Sequence, residues 1–123
     1  MMDKVVINLL KVQNQLRILH WQTTSYAAHQ AFGRTYDDLN DLIDTFVEIH
    51  QGKYGVLRYE SPVEFNLVNI DEIEIESVLA ELADYLTGTF NDMHDPVKDT
   101  DCLNIRDEIL TVINKLRYLL TLK

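Results

Sequence analysis

Between Leu16 and Glu48, in the segment LRILHWQTTSYAAHQAFGRTYDDLNDLIDTFVE, two imidazoles and a row of carboxylates stand at spacings that could do chemistry. His20 is followed directly by Trp21, and His29 comes after a short polar break. Asp37, Asp41, Asp44 and Glu48 are spaced 4, 3, 4, which puts them on one face of a helix. Each lies one or two positions after an apolar residue of the same helix, so the row runs beside the buried stripe. Imidazole nitrogen together with carboxylate oxygen suits iron, manganese or zinc, which accept both donor types. The competing reading is a solvated acidic edge with two hydrogen-bonded interior histidines, and for either feature alone it is the commoner one. Di-iron bundles completed within one chain use Glu-x-x-His pairs. No Glu-x-x-His occurs here, so a metal site would need ligands from more than one copy.

The remaining reactive side chains offer less. His50 continues the apolar rhythm of the same helix and reads as a core-edge residue. His94 falls in a polar connection and is expected to be exposed. Asp92, Asp95, Asp99 and Asp101 read as a solvated loop with a helix N-cap among them. Cys102 has no histidine or basic residue close in sequence to activate it. No glycine-rich phosphate loop and no nucleophile elbow is present.

The elements that must position these groups follow from periodicity. Val5, Leu9, Val12, Leu16 and Leu19 form the stripe of a first helix ending near Trp21. Thr24 or Ser25 can cap a second helix. There His29, Phe32, Tyr36, Leu39, Ile43, Phe46 and His50 alternate spacings of 3 and 4, the heptad of helix packing. Gly52 and Gly55 close that helix. From Gly52 to about Asn69 no period holds, and Pro62 with several aromatics predicts a long connection carrying one short helical turn around SPVEFNLV. Ile70, Ile73 and Ile75 hint at a strand, but Ile75, Val78, Leu79, Leu82, Leu86 and Phe90 settle on helical spacing. Asp71, Glu72 and Glu74 suit the start of that third helix. A last helix carries Ile105, Ile109, Val112, Leu116 and Leu119. Four helices joined short, long, short predict a single all-α domain over residues 1–123. The expected architecture is an antiparallel four-helix bundle, ferritin-like, with one long crossover connection between helices two and three; an up-and-down bundle with an ordinary long loop is the alternative.

A chain of 123 residues suits one modest core. The formal charge of −9, from 20 acidic and 11 basic side chains, opposes phosphate contact, so DNA is an unlikely partner. No apolar run approaches the ~20 residues of a membrane helix, and no membrane partner is expected. The start of the chain lacks the pattern of a signal peptide. With a lone cysteine, the expected location is the cytoplasm of a cell or of an infected host.

The sequence LHW, a polar loop, a second histidine and YDDLNDLID with the following glutamate resembles the Dps family, the miniature ferritins that protect DNA. The likeness covers roughly Leu9 to Glu48. It implies a homo-oligomer of two-fold dimers, up to a dodecamer, with ferroxidase sites across the two-fold interfaces. His20 and His29 would be metal ligands offered by one subunit, Asp44 and Glu48 those offered by its partner, and Trp21 would pack beside the site. The four ligands would be the catalytic residues and iron the metal, with manganese or zinc as alternatives. The chain differs from typical members in a shorter loop between the histidines, in its short length and in lacking a basic N-terminal extension, and as a compact version it is similar to the reduced forms carried by phages. Two function classes stay open. One is iron(II) binding and oxidation between subunits. The other is a non-enzymatic helical assembly or adaptor protein that keeps the bundle without the chemistry.

Overall fold

The computed structural model describes residues 1–123, and every regular element in it is helical. Helix α1 spans Met2–Gln22 and α2 spans Tyr26–Tyr54. The Ser25 hydroxyl accepts the Ala28 amide at 3.2 Å and starts α2. Gly55, at φ +90°, ends it where a side chain would be strained. Helix α3 spans Ile75–Thr87, α4 Thr89–Asp92 and α5 Thr100–Leu119. No helix is long and apolar enough to cross a membrane.

Side-chain bonds between helices fix their directions. Gln13 near the middle of α1 reaches Asn40 of α2 at 3.3 Å, and His20 at the end of α1 meets His29 at the start of α2. These two helices are therefore antiparallel. Lys53 at the end of α2 pairs with Asp101 at the start of α5 at 2.8 Å, and Arg117 late in α5 pairs with Glu76 early in α3 at 2.6 Å. So α5 runs against both of its neighbours. Helices α1 and α2, α2 and α5, and α5 and α3 pack directly. One core forms among them from Leu9, Leu16, Leu39, Phe46, Leu79, Leu86, Phe90, Ile109, Ile113 and Leu116, all essentially inaccessible. Each such side chain contributes roughly 1.5–3 kcal/mol by leaving water.

Because α2 and α3 point the same way, their connection has to travel the length of the molecule, and it does so along α1. The amide of Gln15, buried within α1, accepts the Val68 N–H at 2.9 Å and donates to the Val68 carbonyl at 2.8 Å. Two turns on, Gln22 accepts the Ile70 N–H and donates to Asn69, both at 2.8 Å. These bonds tie the end of the connection to α1, and the helical turn expected around SPVEFNLV is absent, with no regular element between Val63 and Asn69. A single 3-10 turn forms later, at Ile70–Glu72. The third helix is also broken where periodicity read it as continuous. A side chain on Gly88 would stand 3.0 Å from the Asp84 carbonyl, and the bend there lets Phe90 enter the core. In α5 the buried stripe includes Cys102 and Ile113, while Val112 is only half-buried.

Candidate functional site

The turn between α1 and α2 is three residues long, and it brings the two histidines face to face. Their rings stack with centroids 3.8 Å apart and planes 13° from parallel. His20 Nδ1 lies 2.6 Å from the His29 carbonyl oxygen, and His29 Nδ1 lies 2.8 Å from the His20 carbonyl oxygen. A carbonyl can only accept, so each Nδ1 is the donor and carries the hydrogen. In the neutral ring Nε2 is then a bare lone pair. The bond from His29 also has a structural role. Past the end of α1 the His20 carbonyl has no helical amide to receive, and the imidazole takes its place. This is the arrangement by which proteins orient metal-binding histidines, one nitrogen fixed by a carbonyl and the other left for the ion.

The pocket for His20 is made by a glycine and a cation–π pair. Gly33 lies against the His20 ring, Tyr36 is tilted at 5.3 Å from it, and the Arg17 guanidinium stacks over Tyr36 at 4.6 Å. The Arg17 Nε is buried and has no partner. None of Arg17, Gly33 and Tyr36 stood out in the sequence as part of a site. The glycine inside an unbroken heptad was the one visible signal.

Asp37, Asp41, Asp44 and Glu48 are all exposed on α2, as the spacing predicts, and none is in an ion pair. Within the chain they do not approach the histidines. At ~1.5 Å rise per residue, Asp44 is about 22 Å from His29 along the helix. No group of three or more His, Cys, Asp or Glu side chains gathers anywhere to hold a metal. Asp38 and Asp41 instead line a groove with Asp107 and Glu108 of α5, over Leu42 and Val112.

The plainer reading of Trp21, simple burial at the end of its helix, does not hold within the chain. It is 65% exposed, and Tyr26, whose ring lies 6.1 Å from His29, is 75% exposed. The three-residue turn leaves no chain to cover either.

The opposite end of α2 holds the polar residues that the sequence placed in a solvated loop. His94 is buried, against expectation, because its Nδ1 donates to the Phe90 carbonyl at 2.6 Å and its ring stacks on Phe90 at 4.3 Å. Asp99 is buried too. It accepts from the Tyr54 hydroxyl, from the Asp95 amide at 2.8 Å, and pairs with Lys53 at 3.1 Å. The Tyr54 hydrogen bond, with help from Asp95 and Lys53, holds the Asp99 carboxyl well below the usual carboxylate range despite its burial. Burial lowers the pKa of His50, aided by the nearby His94 and Lys53 and opposed by Asp99. Burial likewise pushes the Cys102 thiol up, away from the thiolate a nucleophile needs.

No solved structure matches the chain. Over 121 residues it is 26% identical to the "uncharacterized 14.6 kDa protein in mobD-ri intergenic region" of Enterobacteria phage T4, covering 98% of this chain and 88% of that protein. Residues 20–120, which run from the first histidine through α5, match the family described as "Family of unknown function (DUF5856)", and the chain belongs to that family.

Proposed function

We propose that the chain is a Dps-like protein with a ferritin-like antiparallel four-helix bundle, which binds iron(II) as substrate between copies of itself and oxidises it. The observation that carries this reading is the reciprocal His20–His29 pair, with both Nδ1 atoms tied to carbonyls and both Nε2 atoms free to bind. The donor types fit the metal. Imidazoles from one copy and the unpaired carboxylates Asp44 and Glu48 of a second would make a mixed nitrogen and oxygen set suited to iron, and to manganese or zinc. The order of packing, α1, α2, α5, α3, with the long connection laid along α1, supports the ferritin-like topology.

In this chain the residues hold and orient. His20 and His29 offer fixed lone pairs, and the carboxylates of the second copy supply charge against the cation. Peroxide or dioxygen is the electron acceptor, and consuming iron(II) with peroxide removes the reactants of hydroxyl-radical chemistry. A non-enzymatic helical assembly or adaptor is the second reading. It is favoured by exposed Trp21 and Tyr26, which call for a partner whether or not metal binds. Iron(II) oxidation by peroxide, followed with and without protein, separates the two. Oxidation no faster than in buffer, with no metal retained by the protein, leaves the assembly reading alone.

A further inference from the structure

We propose that Gly33 is the positioning residue of the His20–His29 pair: the space left by its missing side chain is where the His20 ring lies while Nδ1 reaches the His29 carbonyl. A Cβ on Gly33 would stand 2.9 Å from His20 Cε1 and 3.1 Å from Nδ1. Those atoms belong to a rigid ring that has His29 stacked at 3.8 Å, so it has nowhere to retreat without giving up its bond.

Helix geometry explains why the glycine falls at this position. Inside a helix a carbonyl already accepts the amide four residues on, which for His29 is that of Gly33. A second donor must approach that oxygen from the side, past the residue at that fourth position. For the His20 ring that approach lies across the Cα of Gly33, where a Cβ would meet the ring. The backbone itself does not ask for glycine, because Gly33 has an ordinary helical φ, and the sole positive φ is at Gly55. Glycine in a helix interior weakens it relative to alanine. Gly52, in the same helix, has only open space within 4 Å of where a Cβ would stand, and so no comparable steric reason.

The consequence is chemical. With His20 displaced, its ring is free to take the Nε2–H form that a neutral imidazole favours in water, and the lone pair offered outward is lost. The effect on metal rests on the reading proposed above, whereas the effect on the tautomer does not.

The test is Gly33→Ala in the full chain, read by histidine nitrogen NMR at a pH where the rings are neutral, and by titration with Zn²⁺ alone. Wild type should show His20 as the Nδ1–H tautomer, and Gly33→Ala should convert it to Nε2–H. Zn²⁺ affinity should fall by about tenfold, as is usual when the group orienting a ligand histidine is lost. Melting temperatures supply a second measure. Gly33→Ala should lower Tm in wild type yet raise it in a His20→Ala background, where the ring is gone and only helix propensity remains. A His20 ring that keeps Nδ1–H in Gly33→Ala, or a Tm raised equally in both backgrounds, overturns the proposal. A wild-type chain that binds no Zn²⁺ strikes the metal reading, and the tautomer comparison still decides the role of Gly33.

Discussion

His29 and Asp44 project from one continuous helix, α2, and stand about 22 Å apart along its axis. No bending of an unbroken helix brings them to one ion, so a site using both must take them from different copies. This gives the metal reading its sharpest test. His20→Ala and Asp44→Ala should each abolish rapid peroxide-driven iron(II) oxidation. Mixing the two variants after dissociation and reassembly should restore part of the rate. A two-fold pair of unlike subunits makes one site that lacks both groups and one that is intact. Asp37→Ala, outside the ligand set, should oxidise iron as wild type does. Absence of rescue in mixed assemblies of normal size would place the chemistry elsewhere.

Exposed Trp21 and Tyr26 flank the histidine pair, and Trp21 is the chain's single tryptophan. Its emission therefore reports on this end alone. If copies meet here, the emission should shift to the blue as protein concentration rises, in step with mass from sedimentation. Trp21→Ala combined with Tyr26→Ala should shift the equilibrium towards a ~14 kDa monomer, since large aromatic anchors dominate interface energies. Assembly undiminished in the double variant would move the contact to another face.

The helices and most of their buried faces were legible because burial leaves a period, and Leu9, Leu16, Leu39, Phe46 and Leu116 sit where that period predicts. The meeting of His20 and His29 was legible in part, since a three-residue turn between two helices must bring their ends together. Three things were not legible. Gln15 and Gln22 look like surface glutamines of a helix, and only the path of the crossover reveals that each satisfies its backbone. His94 and Asp99 lie in a run of polar residues, and no local pattern says that Phe46, Lys53 and Tyr54 arrive from α2 to bury them. Trp21 shows the converse case. A hydrophobic type at a helix end suggests burial, yet a turn this short supplies nothing to cover it.

Gln15 makes a specific demand on stability. Its amide engages both the N–H and the C=O of Val68, in the manner of a strand neighbour. Gln15→Ala leaves two backbone groups to be satisfied by whatever water can enter, at a cost of roughly 1–3 kcal/mol. The effect should be local before it is global. Amide exchange should accelerate for Leu67 to Ile70 while the centres of α2 and α5 stay protected. Equal acceleration throughout the chain would mean that the crossover is part of the same cooperative unit as the core.

Acid should weaken the fold in two stages. Burial keeps the His50 pKa below its ordinary value of 6.5, so the unfolded chain takes up a proton there that the folded chain resists. The stability contributed by neutral His50 is complete above pH 6.5 and is lost as pH falls below it. Asp99 acts in a lower window. Its folded pKa lies well below the ordinary 3.8 because Tyr54, Asp95 and Lys53 stabilise the carboxylate. Its contribution is therefore present above pH 3.8 and is lost as pH falls below that value. Tm at fixed protein concentration should be level near pH 7 to 8, begin to decline as pH falls below 6.5, and drop further below 3.8. The concentration is held fixed because association moves Tm by mass action. His50→Leu should flatten the first decline and leave the second. Asp99→Asn should lower Tm at pH 7, where the charged bonds are lost, and flatten the second. A Tm that rises between pH 7.5 and 5 would reverse the sign assigned to His50. It would mean that Asp99, the one nearby group favouring the charged ring, outweighs burial.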